Sequence, residues 1–297
     1  MSGTVNSSEA SSGRLAGPRR HWRLALALVA VGVLLLGVVQ AQRGVYVTLH
    51  EGALSAMAPM TASGYQPLDL VNRSATDTVF SVYRLKRGTS VADFTEASLA
   101  LARASASNGN TQTATLALAD SATALGGVSV SKHSSKSMIV NLETGSYAVV
   151  AAPSDGSDIT VTTFRVTRVG PDAAPAPQVL TEVDFSDFAF SFPKNISTGE
   201  NLWRVSNTGS QPHVADLYRL RPGRTVADLL AYIEGGSSGR APYDKTASIA
   251  MVAEGETVFV PVDLAAGEWV ALCFAPDTNQ PHLTHVMEGM IAEFRVF

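Results

Sequence analysis

The chain has 297 residues, 45% hydrophobic and only 16% charged, a balance that excludes an intrinsically disordered protein and suffices for one large core or two ordinary ones. The net charge is −4, but four arginines and one acid precede residue 42, leaving 18 Lys and Arg against 25 Asp and Glu beyond it. Such an acidic body offers nothing to phosphate backbones, so nucleic acid is not an expected partner, and a single cysteine permits neither an intrachain disulfide nor a multi-thiolate zinc site.

Residues 1–23 form a polar Ser/Gly-rich tail that ends in a basic flank, Arg19-Arg20-His21-Trp22-Arg23. An unbroken apolar run follows over 24–39. As a helix it would be roughly 24 Å long, short but workable for a bilayer core of about 30 Å. The arginines on its N-terminal side predict a cytoplasmic N-terminus and export of everything after the run. Val39-Gln40-Ala41 fits a signal-peptidase site, so residues 24–41 are expected to be a signal peptide or an uncleaved signal anchor. The remainder is expected on the periplasmic or extracellular face.

The exported part repeats itself. Val82-Tyr83-Arg84-Leu85 returns as Leu217-Tyr218-Arg219-Leu220, and Thr89-Ser90-Val91-Ala92-Asp93 as Arg224-Thr225-Val226-Ala227-Asp228. Asn72 and Asn207 stand in the same register, and both copies end in Phe-Arg-Val, at Phe164 and Phe294. The expected organisation is one domain over 45–169, a Pro/Ala-rich linker over 170–178, and a second domain over 179–297. Short segments rich in Val, Thr, Phe and Tyr, with alternation and Gly/Pro breaks, predict an antiparallel β-sandwich in each copy. One helix is expected within each, because Ser90 and Thr225 can cap helices with Asp93 and Asp228 at the third position. Those helices should run to about Ser105 and Glu234.

The copies differ where chemistry could sit. The second alone holds Asn207-Thr208-Gly209-Ser210-Gln211-Pro212-His213, then Cys273, His282, His285, Met287 and Met290. The position of His213 falls on Thr78 in the first copy, and that of Cys273 on Ala151. Taken singly, a cysteine at a strand end is ordinarily an inert buried thiol, a loop histidine is ordinarily solvated, and a methionine near a strand is ordinarily core. Their joint restriction to one copy argues for a metal site. A soft thiolate, two imidazoles and a weak thioether suit the Cu(I)/Cu(II) couple.

The order His, Cys, His, Met after Asn-x-Gly-x-x-Pro-His resembles the cupredoxin family of blue-copper, plastocyanin- and azurin-like proteins. The resemblance covers the second copy directly and the first by duplication. It implies two tandem Greek-key sandwiches, with one copper held by His213, Cys273, His282 and Met290. Asn207 is implied as an indirect partner, orienting the ligand loop or touching the thiolate. Two loop registers fit. Cys273-x8-His282-x4-Met287 resembles copper nitrite reductases, whereas His285-x4-Met290 matches the plastocyanin spacing. His282 is favoured because Pro281-His282 follows the turn-forming stretch 277–280, with His285 and Met287 as alternates. The functional expectation is electron transfer with a redox or copper-exchange protein partner, and with the membrane if the anchor is retained. A metal-free interaction module and a Cu(I) carrier are the alternatives. Catalysis is not expected: the His-x-His pairs of a multicopper oxidase, the extra histidines of a nitrite reductase, a Gly-x-Ser-x-Gly elbow and the nucleotide-binding glycine motifs are all missing.

Overall fold

The structure, a computed structural model, describes residues 44–58, 63–107, 111–167, 175–179, 181–280 and 282–297. The expected signal or anchor segment and most of the expected linker lie outside the described residues. Among the described residues no helix is long and apolar enough to cross a membrane.

The first copy builds strands Val45–His50 (β1), Ala53–Met57 (β2), Gly64–Asn72 (β3) and Thr78–Leu85 (β4), helices Val91–Ala106 (α1) and Thr111–Ser121 (α2), then Ala122–Val130 (β5), Ser134–Leu142 (β6), Gly145–Pro153 (β7) and Thr160–Val166 (β8). The second builds Thr181–Ser186 (β9), Ala189–Ser191 (β10), Asn195–Ile196 (β11), Gly199–Asn207 (β12) and His213–Leu220 (β13), helix Val226–Glu234 (α3), then Tyr243–Val252 (β14), Thr257–Leu264 (β15), Gly267–Leu272 (β16) and Ile291–Val296 (β17). Pairing repeats with the sequence: β4 lies between β5 and β7 as β13 lies between β14 and β16, and β3 between β1 and β6 as β12 between β9 and β15.

Two departures from simple alternation matter. The pairs β1–β3, β9–β12 and β11–β17 are parallel, so each sheet is mixed. The copies also meet edge to edge. Antiparallel pairing of β15 with β6 and of β14 with β5 fuses them into one eight-stranded and one nine-stranded sheet. The main core lies between these sheets and draws on both copies, from Val47, Leu70 and Phe80 to Trp203, Val260 and Trp269. Joining edges removes two aggregation-prone rows of free backbone groups from each copy. Gly126 admits the close approach at the seam, where a side chain would meet Val258 of β15, whereas Gly127 admits β4 of its own copy, where a side chain would meet the Phe80 carbonyl. Arg84 then crosses the seam to Glu256 at 2.7 Å.

The nine-stranded sheet is covered on its outer face as well. On β7, Tyr147, Val149 and Ala151 face the main core, while Ala148 and Val150 face a second cluster with Phe94 and Leu118 from the helices. Both predicted helices form where their caps place them. The Ser90 side chain accepts from the Asp93 amide, and Thr225 with Asp228 makes a reciprocal capping box. The first copy adds a helix beyond the one expected. Residues 111–121 are rich in Ala, Leu and Thr, and α2 buries Ala114, Thr115 and Leu118.

Candidate metal centre

The site occupies one end of the second copy, where β13 begins and β16 ends. His213 opens β13, and a register irregularity against β14 between His213 and Ala215 breaks the regular pairing beside it. Cys273 follows β16 on the core-facing side shared by Trp269 and Ala271. The third participant comes from the long loop between β16 and β17, which folds back on itself as a small hairpin. Asp277 donates its amide to the Leu283 carbonyl, Pro276 bridges Thr284, and His285 donates to the Ala275 carbonyl at 2.9 Å. Val286 donates to the Cys273 carbonyl at 2.8 Å.

That hairpin sets the two candidate histidines apart. Its extra residues are spent at the tip, so His282 stands exposed in a left-handed conformation (φ 69°), away from the cysteine. His285 is the imidazole brought to the site, in place of the favoured His282. Met287 is 69% exposed, whereas Met290 is fully buried. The Met290 amide donates to the His285 carbonyl and its own carbonyl accepts from the Cys273 amide, which tethers it between the two.

His213, Cys273 and His285 are each 0% exposed. The two Nδ1 atoms lie 2.9 Å apart, and Cys273 Sγ is 3.4 Å from His285 Nδ1 and 4.0 Å from His213 Nδ1. The outer nitrogens are committed elsewhere. His213 Nε2 faces the Asp187 carboxylate at 3.2 Å, and His285 Nε2 faces Gln211 Oε1 at 3.4 Å. Gln211 Oε1 also accepts from the Thr278 amide and hydroxyl, so it is an acceptor, as the carboxylate is. The acceptor at each Nε2 favours the Nε2–H tautomer, the form in which an Nδ1 lone pair faces the site. Burial pushes the Cys273 thiol up to about 12 and pulls His285 down to about 4, with His213 adding to the latter. His213 is lowered by burial too, partly opposed by Asp187.

In that form three inward lone-pair donors face one another in a buried pocket. A cation among them satisfies all three. The three ligand atoms all lie within 4.8 Å of one another, close enough to share one ion. The residues fit a soft-to-borderline metal ion, and among the described residues this is the one group of three such side chains able to share an ion.

Asn207 acts through backbone. Its amide donates to the carbonyls of Gln211 and Val252, and its Oδ1 accepts from Gly209. Asn72 makes the same three bonds, to Thr76, Val130 and Ser74. Orienting the loop is therefore a scaffold duty of both copies rather than one specific to the site. Three participants carried no signal of their own: Asp187, Phe188 and Gln211. Phe188 stands edge-on to His285, ring centroids 5.3 Å apart. Asp187 and Phe188 replace Glu51 and Gly52 once β9 is aligned on β1 through their shared pairing with β12 and β3, an alignment one residue off the main repeat.

No family model matches the chain, and no curated relative matches it. Among solved structures the chain is matched to auracyanin B, 19% identical over 41% of this chain and 93% of that one, with a TM-score of 0.26. Another is a reduced auracyanin from Roseiflexus castenholzii, 22% identical over 39% of this chain and 94% of that one, TM-score 0.26. A multicopper oxidase matches 86% of this chain and 88% of its own at 8% identity, TM-score 0.24. The class is defined by the chain's own pairing order: duplicated, mixed-sheet Greek-key sandwiches. The fold is cupredoxin-like, and its second copy carries a buried His–Cys–His group.

Proposed function

We propose that the protein binds one copper ion in its second copy, which His213, Cys273 and His285 would hold with the buried Met290 thioether as a weaker further ligand, and that it transfers electrons outside the membrane without catalysing a reaction of its own. The observation that carries the reading is the trio of two imidazoles and a thiol, fully buried, with ligand atoms that all lie within 4.8 Å of one another. Copper bound to such a set supplies a one-electron couple with little change of geometry. The chain's part is to exclude water, keep both Nδ1 atoms inward and give up the thiol proton when the ion enters. The first copy, with Thr78 and Ala151 at the matching places, takes no ion and serves as scaffold.

The test is reversible redox cycling of the copper-loaded full chain, followed by visible absorption. Electron transfer predicts a strong thiolate–copper(II) band that bleaches on reduction and returns on oxidation. A Cu(I) carrier would bind copper but stay colourless after mild oxidation, and a metal-free module would retain no copper.

A further inference from the structure

The motif glycine and the β9–β10 turn belong to one device. The Asp187 carboxylate accepts from His213 Nε2 at 3.2 Å, and the Ser210 amide and hydroxyl and the Gln211 amide hold it in place. The space it needs exists only because residue 209 has no side chain. A Cβ there would collide with Asp187 Oδ1 and lie 2.8 Å from both the Asp187 amide nitrogen and His213 Nε2. The duplication shows that the turn itself does not require glycine. Ser74 occupies the same position in the first copy and donates its amide to Asn72 Oδ1 at 3.0 Å, as Gly209 does to Asn207 Oδ1 at 2.9 Å. The first copy has no histidine to orient, with Thr78 in the place of His213, and it has Glu51 in the place of Asp187.

We propose that Asp187 is a positioning residue that locks His213 with Nδ1 turned into the site, and that Gly209 is glycine to leave room for that lock. The role rests on the copper reading, but the lock exists in the metal-free protein and is measured there. A carboxylate behind a metal-binding imidazole fixes its tautomer and ring plane, and its loss typically weakens metal binding by about 10- to 100-fold.

The experiment compares the full wild-type chain with Asp187→Ala, Asp187→Asn, Gly209→Ser and the double variant Asp187→Ala/Gly209→Ser. Imidazole 15N spectra of the metal-free proteins should show His213 protonated at Nε2 in wild type. That preference should be lost in Asp187→Ala and Gly209→Ser, and largely kept in Asp187→Asn, which retains an acceptor oxygen. Copper affinity should fall by about 10- to 100-fold in the two disrupting single variants. The double variant should lose less than the product of the two single losses, because both changes break the Asp187 contact, although a Cβ at 209 also crowds His213 Nε2. Gly209→Ser introduces a residue the duplicated turn already carries, so it separates loss of the lock from loss of the fold. An unchanged His213 spectrum in both disrupting variants would overturn the proposal. So would a double-variant loss equal to the product of the single losses. If the wild type takes up no copper, the proposed function fails while the nitrogen spectra still decide the lock.

Discussion

Two imidazole nitrogens 2.9 Å apart, each with its other nitrogen bound to an acceptor, hold the chemistry of this site in a single contact. His213 and Cys273 are legible in the sequence because the other copy has Thr78 and Ala151 there. His285 against His282 is not, since loop spacing alone does not reveal that the loop pairs with itself. The hairpin in that loop makes a sharp expectation. His285→Ala should abolish tight copper binding, whereas His282→Ala, at an exposed tip, should leave it unchanged; equilibrium copper titration measures both. Nearby on β13, Asp216 accepts from the Ser248 hydroxyl at 2.7 Å, and burial raises its pKa. The native state then holds that proton more tightly than the unfolded chain does. Stability is lost as pH rises from the ordinary carboxylate range, about 4, through the raised value. Asp216→Asn should therefore raise the urea midpoint of the apo protein at neutral pH, with the gain vanishing in acid. An equal gain at both pH values would contradict this.

At the scale of elements, the caps, the helix starts and the alternating strands were readable because each depends on a few neighbouring residues. The parallel pairs, the additional α2 and the β9–β10 turn were not. Parallel pairing joins strands distant in sequence, and a two-residue turn leaves little pattern. That turn nevertheless separates scaffold from site. Gly52 takes φ 78° between β1 and β2, and Phe188 takes φ 61° at the matching place between β9 and β10. A bulky residue in the left-handed region costs about 1 kcal/mol or more, so its presence where the other copy uses glycine argues for a gain from its ring. That gain is the edge-on cover of His285. Phe188→Gly should relieve backbone strain while removing this cover. The expected result is an apo stability change smaller than the ~3 kcal/mol typical of deleting a buried phenylalanine, with clearly faster extraction of copper by a chelator. Extraction at the wild-type rate would show that the ring does not shield the ion.

The described part of the molecule is a duplication in which the sheets run unbroken through both copies and the candidate metal centre lies in one. Repetition of motifs made the two sandwiches visible in the sequence. Their fusion at β5–β14 and β6–β15 was not visible, because edge pairing leaves no motif and the one seam glycine, Gly126, does not reveal what packs on it. The fused fold lets the first copy brace the second. Arg84 reaches Glu256, and the Gln112 side chain from α2 donates to the Asp277 carbonyl in the ligand loop at 2.9 Å. The first copy also supplies the control for the account's central claim. Ala151 already stands at the place of Cys273, so Cys273→Ala should fold with a loss of about 1 kcal/mol or less, the scale of a small core trimming. The direct measurement is a copper(II) titration of the full chain and its Cys273→Ala variant, read by metal content and visible absorption. The account predicts one tightly bound ion per wild-type chain with an intense thiolate–copper band, and neither in the variant. A colourless wild type, or equal copper uptake by the variant, would contradict it.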